Sequence, residues 1–111
     1  MLELLVVIAI IGILASAALP RFDAFRAAAY DARAQQDLRN LASAQELYRA
    51  THEDYAAALE DVVAYSASEG VTVAIESASA TGFTAVSRHE AGSQRFAWDS
   101  DAQPPLTATA D

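Results

Sequence analysis

The chain of 111 residues has no cysteine. A disulfide framework, a thiolate metal site, haem attachment through Cys-x-x-Cys-His and a cysteine nucleophile are all excluded. Lysine is also absent, so seven arginines face fifteen Asp and Glu for a formal charge of −8. The imbalance is local. Residues 1–50 carry five Arg against five acids, and residues 51–111 carry two against ten. An acidic outer half argues against holding DNA or phosphate by charge, so no nucleic-acid partner is expected. Glycine numbers four and proline three, with no glycine-rich phosphate loop and no serine elbow among them. Asn40 is followed by Leu41-Ala42, which is no N-glycosylation sequon. The Ser and Thr of the outer half leave O-linked glycans open.

What the chain does have is a long apolar beginning. From Leu4 to Leu19 no residue is charged, and Ser16 is the one polar side chain. Those residues as a helix reach about 24 Å, and Met1 to Glu3 bring it near the roughly 30 Å of a bilayer core. A secretory signal peptide would open on Lys or Arg and close on a small-residue cleavage site, whereas no basic residue precedes Arg21. A plain membrane anchor fits the hydrophobicity but gives Glu3 no task. An ionisable group at membrane depth costs several kcal/mol and calls for a partner.

Residues 21–50 continue as helix: Ala, Leu, Gln, Glu and Arg dominate, with no glycine or proline. Pro20 should kink the rod where it leaves the membrane, and Gly12 weakens the same segment by about 1 kcal/mol relative to Ala. Ala34, Leu38, Leu41, Ala42 and Tyr48 recur at helical spacing as an apolar stripe, with Asp37, Arg39, Glu46 and Arg49 mainly off it. Phe22, Phe25, Ala29 and Tyr30 form a second cluster with no sheet expected nearby, suited to neighbouring helices or to an interfacial aromatic belt. A connecting region from Thr51 to Gly70 has room for a further helical turn or two.

Strand patterning starts after Gly70. Val71, Val73 and Ile75 alternate with Thr72 and Ala74; Gly82 to Arg88 and Gln94 to Asp99 follow, with Phe96 and Trp98 on one face. The predicted fold is α+β: a long N-terminal helix under a small antiparallel sheet of about three strands. Its head core is Leu38, Leu41 and Tyr48 beneath Val73, Ile75, Phe83, Phe96 and Trp98. The tail from Gln103, with Pro104-Pro105, is expected to be loose or laid along the surface. The expected divisions are an apolar helix 1–20, its amphipathic continuation 21–50, and a head 51–111.

Leu2-Glu3-Leu4-Leu5-Val6-Val7-Ile8-Ala9-Ile10-Ile11-Gly12-Ile13-Leu14-Ala15, followed by Pro20, closely resembles the N-terminal segment of type IV pilins and type II secretion pseudopilins. Asp37-Leu38-Arg39-Asn40-Leu41 is similar to a run in the shortest pilins, and helix-then-sheet is the pilin layout, often likened to a ladle. In that family the glutamate is the fifth residue of a mature chain that opens on an N-methylated Phe. Here it is third, which implies that the chain starts two residues late or that Met1 lies within a longer precursor.

The resemblance implies a major pilin that polymerises with copies of itself into an extracellular type IV pilus. It implies residence in the inner membrane before assembly, and a prepilin peptidase, an assembly ATPase and a platform protein as partners. Glu3 would pair with the N-terminal amine of a neighbour. Gly12 and Pro20 would let the helix loosen in the filament. Leu4, Leu5, Val7, Ile8, Ile11, Leu14, Phe22 and Phe25 would pack its core. A pseudopilin or minor pilin is the first alternative, and a membrane-anchored binding protein that never polymerises the second.

Catalytic and metal chemistry finds little support. His52 and His89 are the only histidines, and neither has a second ligand at metal spacing. His52-Glu53-Asp54 reads as a solvated turn. Asp99-Ser100-Asp101 could offer oxygens to Ca²⁺ but falls short of the usual six to eight. An enzyme is not expected, nor is a cofactor. Electron transport through Phe22, Phe25 and Tyr30 is a weaker reading than plain packing.

Overall fold

The computed structural model describes residues 1–110, without the side chains of 17–21. One helix, α1 (Leu2–His52), is followed by a 3₁₀ turn, Leu59–Asp61, and four strands: β1 (Val71–Ala78), β2 (Phe83–His89), β3 (Gln94–Asp99) and β4 (Leu106–Ala110). At about 1.5 Å per residue, the 51 residues of α1 account for the long axis of a molecule measuring 76 × 25 × 17 Å. The helix ends two residues beyond the expected Ala50. Glu53 turns left-handed there, at φ 69°, and its N–H donates to the Arg49 carbonyl.

The strands form an antiparallel meander in the order β1-β2-β3-β4. Two rows of its inner face lie over the helix. Val73, Ser87 and Phe96 are in register, as are Ile75, Ala85, Trp98 and Leu106. Small residues make the crossing close. Ala34 and Ala85 are fully buried, and the Ser87 hydroxyl donates to the Ala34 carbonyl at 2.9 Å. Leu38, Leu41, Val73, Phe83 and Phe96 are buried, while Tyr48, Ile75 and Trp98 are only partly so. Tyr55, Ala56 and Val62 of the connecting region complete the core.

Three expectations need correction. The sheet has four strands rather than three, because the tail pairs with β3 from Leu106 to Ala110. Pro104-Pro105 stays outside the ladder, and the Asp99 N–H bonds the Pro105 carbonyl at 2.9 Å as the chain enters it. An edge strand needs backbone groups more than an apolar pattern, so Thr107-Ala108-Thr109 gave no signal. Asp37, placed off the apolar stripe, is buried. Tyr30, grouped with the residues lacking a sheet, stacks on His89 of β2 with ring centroids 4.2 Å apart. The predicted kink at Pro20 lies outside the described residues.

Candidate functional site

The helix divides by what it touches. From Tyr30 to Tyr48 one face is covered by the head; before that, the described side chains meet little but solvent. Leu4, Leu5, Val7, Ile8, Ile11 and Leu14 are all exposed, as are Ile13 at 68 % and Phe25 at 71 %. The Arg26 guanidinium lies 5.9 Å from the Phe22 ring. Glu3 is exposed in the first helical turn, where a carboxylate complements the positive end of the helix dipole. A Cβ at Gly12 would meet nothing within 4 Å. Within the chain, then, nothing crowds this position, where glycine in place of alanine weakens a helix by about 1 kcal/mol. Among the described residues no helix is long and apolar enough to cross a membrane; in the sequence the uncharged run goes on through Ala17, Ala18 and Leu19.

A projecting helix is useful only if the head holds it firmly, and polar groups that the apolar pattern missed do this. Asp31 accepts from the Ser93 N–H at 2.8 Å, the Ser93 hydroxyl at 2.7 Å and the Gln94 N–H at 3.1 Å. The turn between β2 and β3 is thereby tied to the helix, and Gly92 packs so close that a Cβ would strike the Asp31 carboxylate. Asp37 accepts from the Ser68 N–H at 2.7 Å and its hydroxyl at 2.8 Å. Gln45, fully buried, donates to the Ala56 carbonyl and accepts from the Ala56 N–H, both at 2.9 Å. Arg49 Nε donates to the Ala80 carbonyl at 3.0 Å. Those of Asp31, Asp37 and Arg49 are charge-assisted, the stronger kind.

The signal that could have found these residues is register. Asp31 stands three before Ala34, Asp37 four before Leu41 and Gln45 four after it, so each shares the apolar stripe's face. His89, also buried, accepts the Ala91 N–H at Nδ1, 3.0 Å away, and is engaged by Tyr30. His52 stacks on Tyr48 at 4.0 Å. In the Asp99–Asp101 turn, Asp99 Oδ1 accepts the Asp101 N–H at 3.0 Å and the Ser100 hydroxyl accepts the Phe83 N–H at 2.9 Å. These oxygens brace the turn.

Tyrosine environments show how tightly the connecting region sits. Tyr55 donates to Glu46 at 2.6 Å, which raises its pKa above the ordinary value, with burial acting in the same direction. Tyr65 is pushed up further, chiefly by burial and then by the negative charge of Asp37.

No protein-family model matches the chain. Its sequence is 35% identical over 113 aligned positions, 99% of this chain and 86% of the relative, to the type IV wide pilus major component PilA4 of Thermus thermophilus. The similarity runs through helix and sheet together. The chain belongs to the type IV pilin family. In this pilin the apolar half of the helix is presented and the other half is held, by hydrogen bonds spaced along the stripe from Asp31 to Arg49.

Proposed function

We propose that this pilin is the repeating subunit of an extracellular type IV pilus and that its projecting helix is the assembly element. The observation that carries the reading is the exposed apolar surface. Eleven large apolar side chains between Met1 and Leu14 are exposed. At about 1.5–3 kcal/mol for each one buried from full exposure, and with these side chains on average roughly two-thirds exposed, covering them is worth roughly 10–20 kcal/mol, as much as the 5–15 kcal/mol stability of a typical domain. A surface of that size does not stay in water. A bilayer covers it before assembly, and the helices of neighbouring copies cover it afterwards, with Leu4, Leu5, Val7, Ile8, Ile11, Leu14, Phe22 and Phe25 in the filament core. The division into a core helix 1–20, its continuation 21–50 and a head 51–111 follows from the same reading. Gly12 and Pro20 allow the core helix to loosen on packing.

Glu3 sets register. In low dielectric an unpaired carboxylate is costly, and docking against a neighbour's N-terminal ammonium relieves much of that cost, so a subunit out of register leaves both charges unpaired. A prepilin peptidase processes the chain, and an assembly ATPase and a platform protein extract it from the inner membrane. The acidic heads keep filaments soluble by mutual repulsion.

Mass spectrometry of fibres sheared from cells and checked by electron microscopy is the test. This chain as the dominant protein of the fibres supports the reading. Its absence from fibres, with the chain retained in the inner membrane, overturns it in favour of a minor pilin or secretion pseudopilin.

A further inference from the structure

Only two arginines lie in the acidic outer half, Arg88 and Arg95, and the fold sets them side by side. They are direct partners across β2 and β3, both exposed on the sheet face turned away from the helix. Thr72 extends the row on one side and Thr109 on the other. Among the described residues, the Arg95 guanidinium has no hydrogen-bond or ion-pair partner. Beside the pair, Ala74, Val86 and Ala97 make a row of small apolar residues. Together with Thr72 and the two arginines, Ala74 and Val86 line a shallow depression of about 330 Å³.

A surface of opposite character lies elsewhere on the same head. Glu53, Asp54, Glu60 and Asp61 are all exposed along the connecting segment, and Val63 beyond them is 93 % exposed. We infer that the outer sheet face of one copy docks on this acidic segment of another, with Arg95 meeting Glu60 and Asp61, and Val63 lying on the Ala74–Val86–Ala97 row. The inference rests on the polymer reading and adds a head-to-head contact to the helical one. Its symmetry suits that reading. Two different, complementary patches on one chain make a head-to-tail interface, which produces an open helical array unless its rotation happens to close.

The lack of cysteine gives a clean test. Val86→Cys and Val63→Cys, which the proposal puts in direct contact, combined in the full chain and expressed in cells, should form intermolecular disulfides in sheared filaments, since bridged Cα atoms lie about 4.4–6.8 Å apart. A head-to-tail contact yields a ladder of dimer, trimer and higher species on non-reducing gels, and either single variant yields none. Charge reversal is the second arm. Arg95→Glu should lower filament yield at least several-fold, and adding Asp61→Arg in the same chain should restore much of it. Filaments that assemble from the double-cysteine chain without a ladder overturn the contact alone. So does a dimer from Val86→Cys by itself, which would mean that like faces meet, or an unchanged yield for Arg95→Glu. If the unsubstituted chain forms no filaments, the polymer reading fails and the contact fails with it.

Discussion

Gln45 offers the sharpest test of how the head grips the helix. Its side chain is fully buried, and its amide pairs with both backbone groups of Ala56 at 2.9 Å. Ala56 is itself buried, so water has poor access to either group once the amide is gone. Gln45→Leu nearly keeps the volume and removes both bonds. Leaving a buried donor or acceptor unpaired costs about 1–3 kcal/mol for each of the two groups, and the added apolar burial returns about 1 kcal/mol, so the expected loss is about 1–5 kcal/mol. Gln45→Ala should cost about 1–2 kcal/mol more, because a cavity is left as well. Gln45→Glu separates hydrogen bonding from packing. At neutral pH its carboxylate can still accept from Ala56 N–H but faces the Ala56 carbonyl without a proton to give. Below about pH 4 the protonated acid can donate, and part of the lost stability should return. The assay is urea unfolding of the full chain in detergent micelles, read by the fluorescence of Trp98, the single tryptophan, which is packed against the core. A Gln45→Leu chain within about 0.5 kcal/mol of the parent would refute the reasoning, because it would mean that Ala56 is satisfied without Gln45.

Further outcomes follow from the same geometry. Tyr55 and Tyr65 hold their protons more tightly in the folded chain than unfolded. The stability they contribute is therefore complete below the ordinary tyrosine pKa of about 10 and is lost as pH rises beyond it. Phenolate absorbance of these two should appear together with unfolding, and Tyr55→Phe should flatten the alkaline part of the stability curve; an unchanged curve would count against the Tyr55–Glu46 bond. Gly70 sits at φ 82°, and a Cβ there would lie 2.7 Å from His89 Nε2. Gly70→Ala should thus lower stability by about 1–3 kcal/mol, while Gly12→Ala, with open space around it, should leave the head's unfolding midpoint unchanged. Under the polymer reading, Glu3→Gln should abolish or sharply reduce filaments while membrane insertion stays normal, as judged by fractionation and electron microscopy; normal filaments would refute its role in register.

Much of the fold was legible because its signals are local. The spacing of Ala34, Leu38 and Leu41 announces which helix face is covered, and alternation around Val73, Phe83 and Phe96 announces strands. The candidate site was legible in part. Glu3 stands out as an ionisable group in an apolar run, and the order of the residues around it pointed to the pilin family. Asp31, Asp37 and Gln45 were legible only as sharing the stripe's face, since a polar residue on a helix reads as solvent-facing until the loop that buries it is in place. The fourth strand was missed for a related reason: Thr107, Ala108 and Thr109 contribute backbone to a ladder and little else.

By itself, then, the sequence determined the apolar helix, its amphipathic continuation and the strands of the meander, because helix and strand periods and the cost of exposing apolar groups act between near neighbours. Only the tertiary structure decided which polar groups clamp the helix, that Tyr30 meets His89, and that Arg88 stands opposite Arg95. These depend on strand register and on how closely Ala34 approaches Ser87. Register links residues far apart in the chain, and no local propensity encodes it.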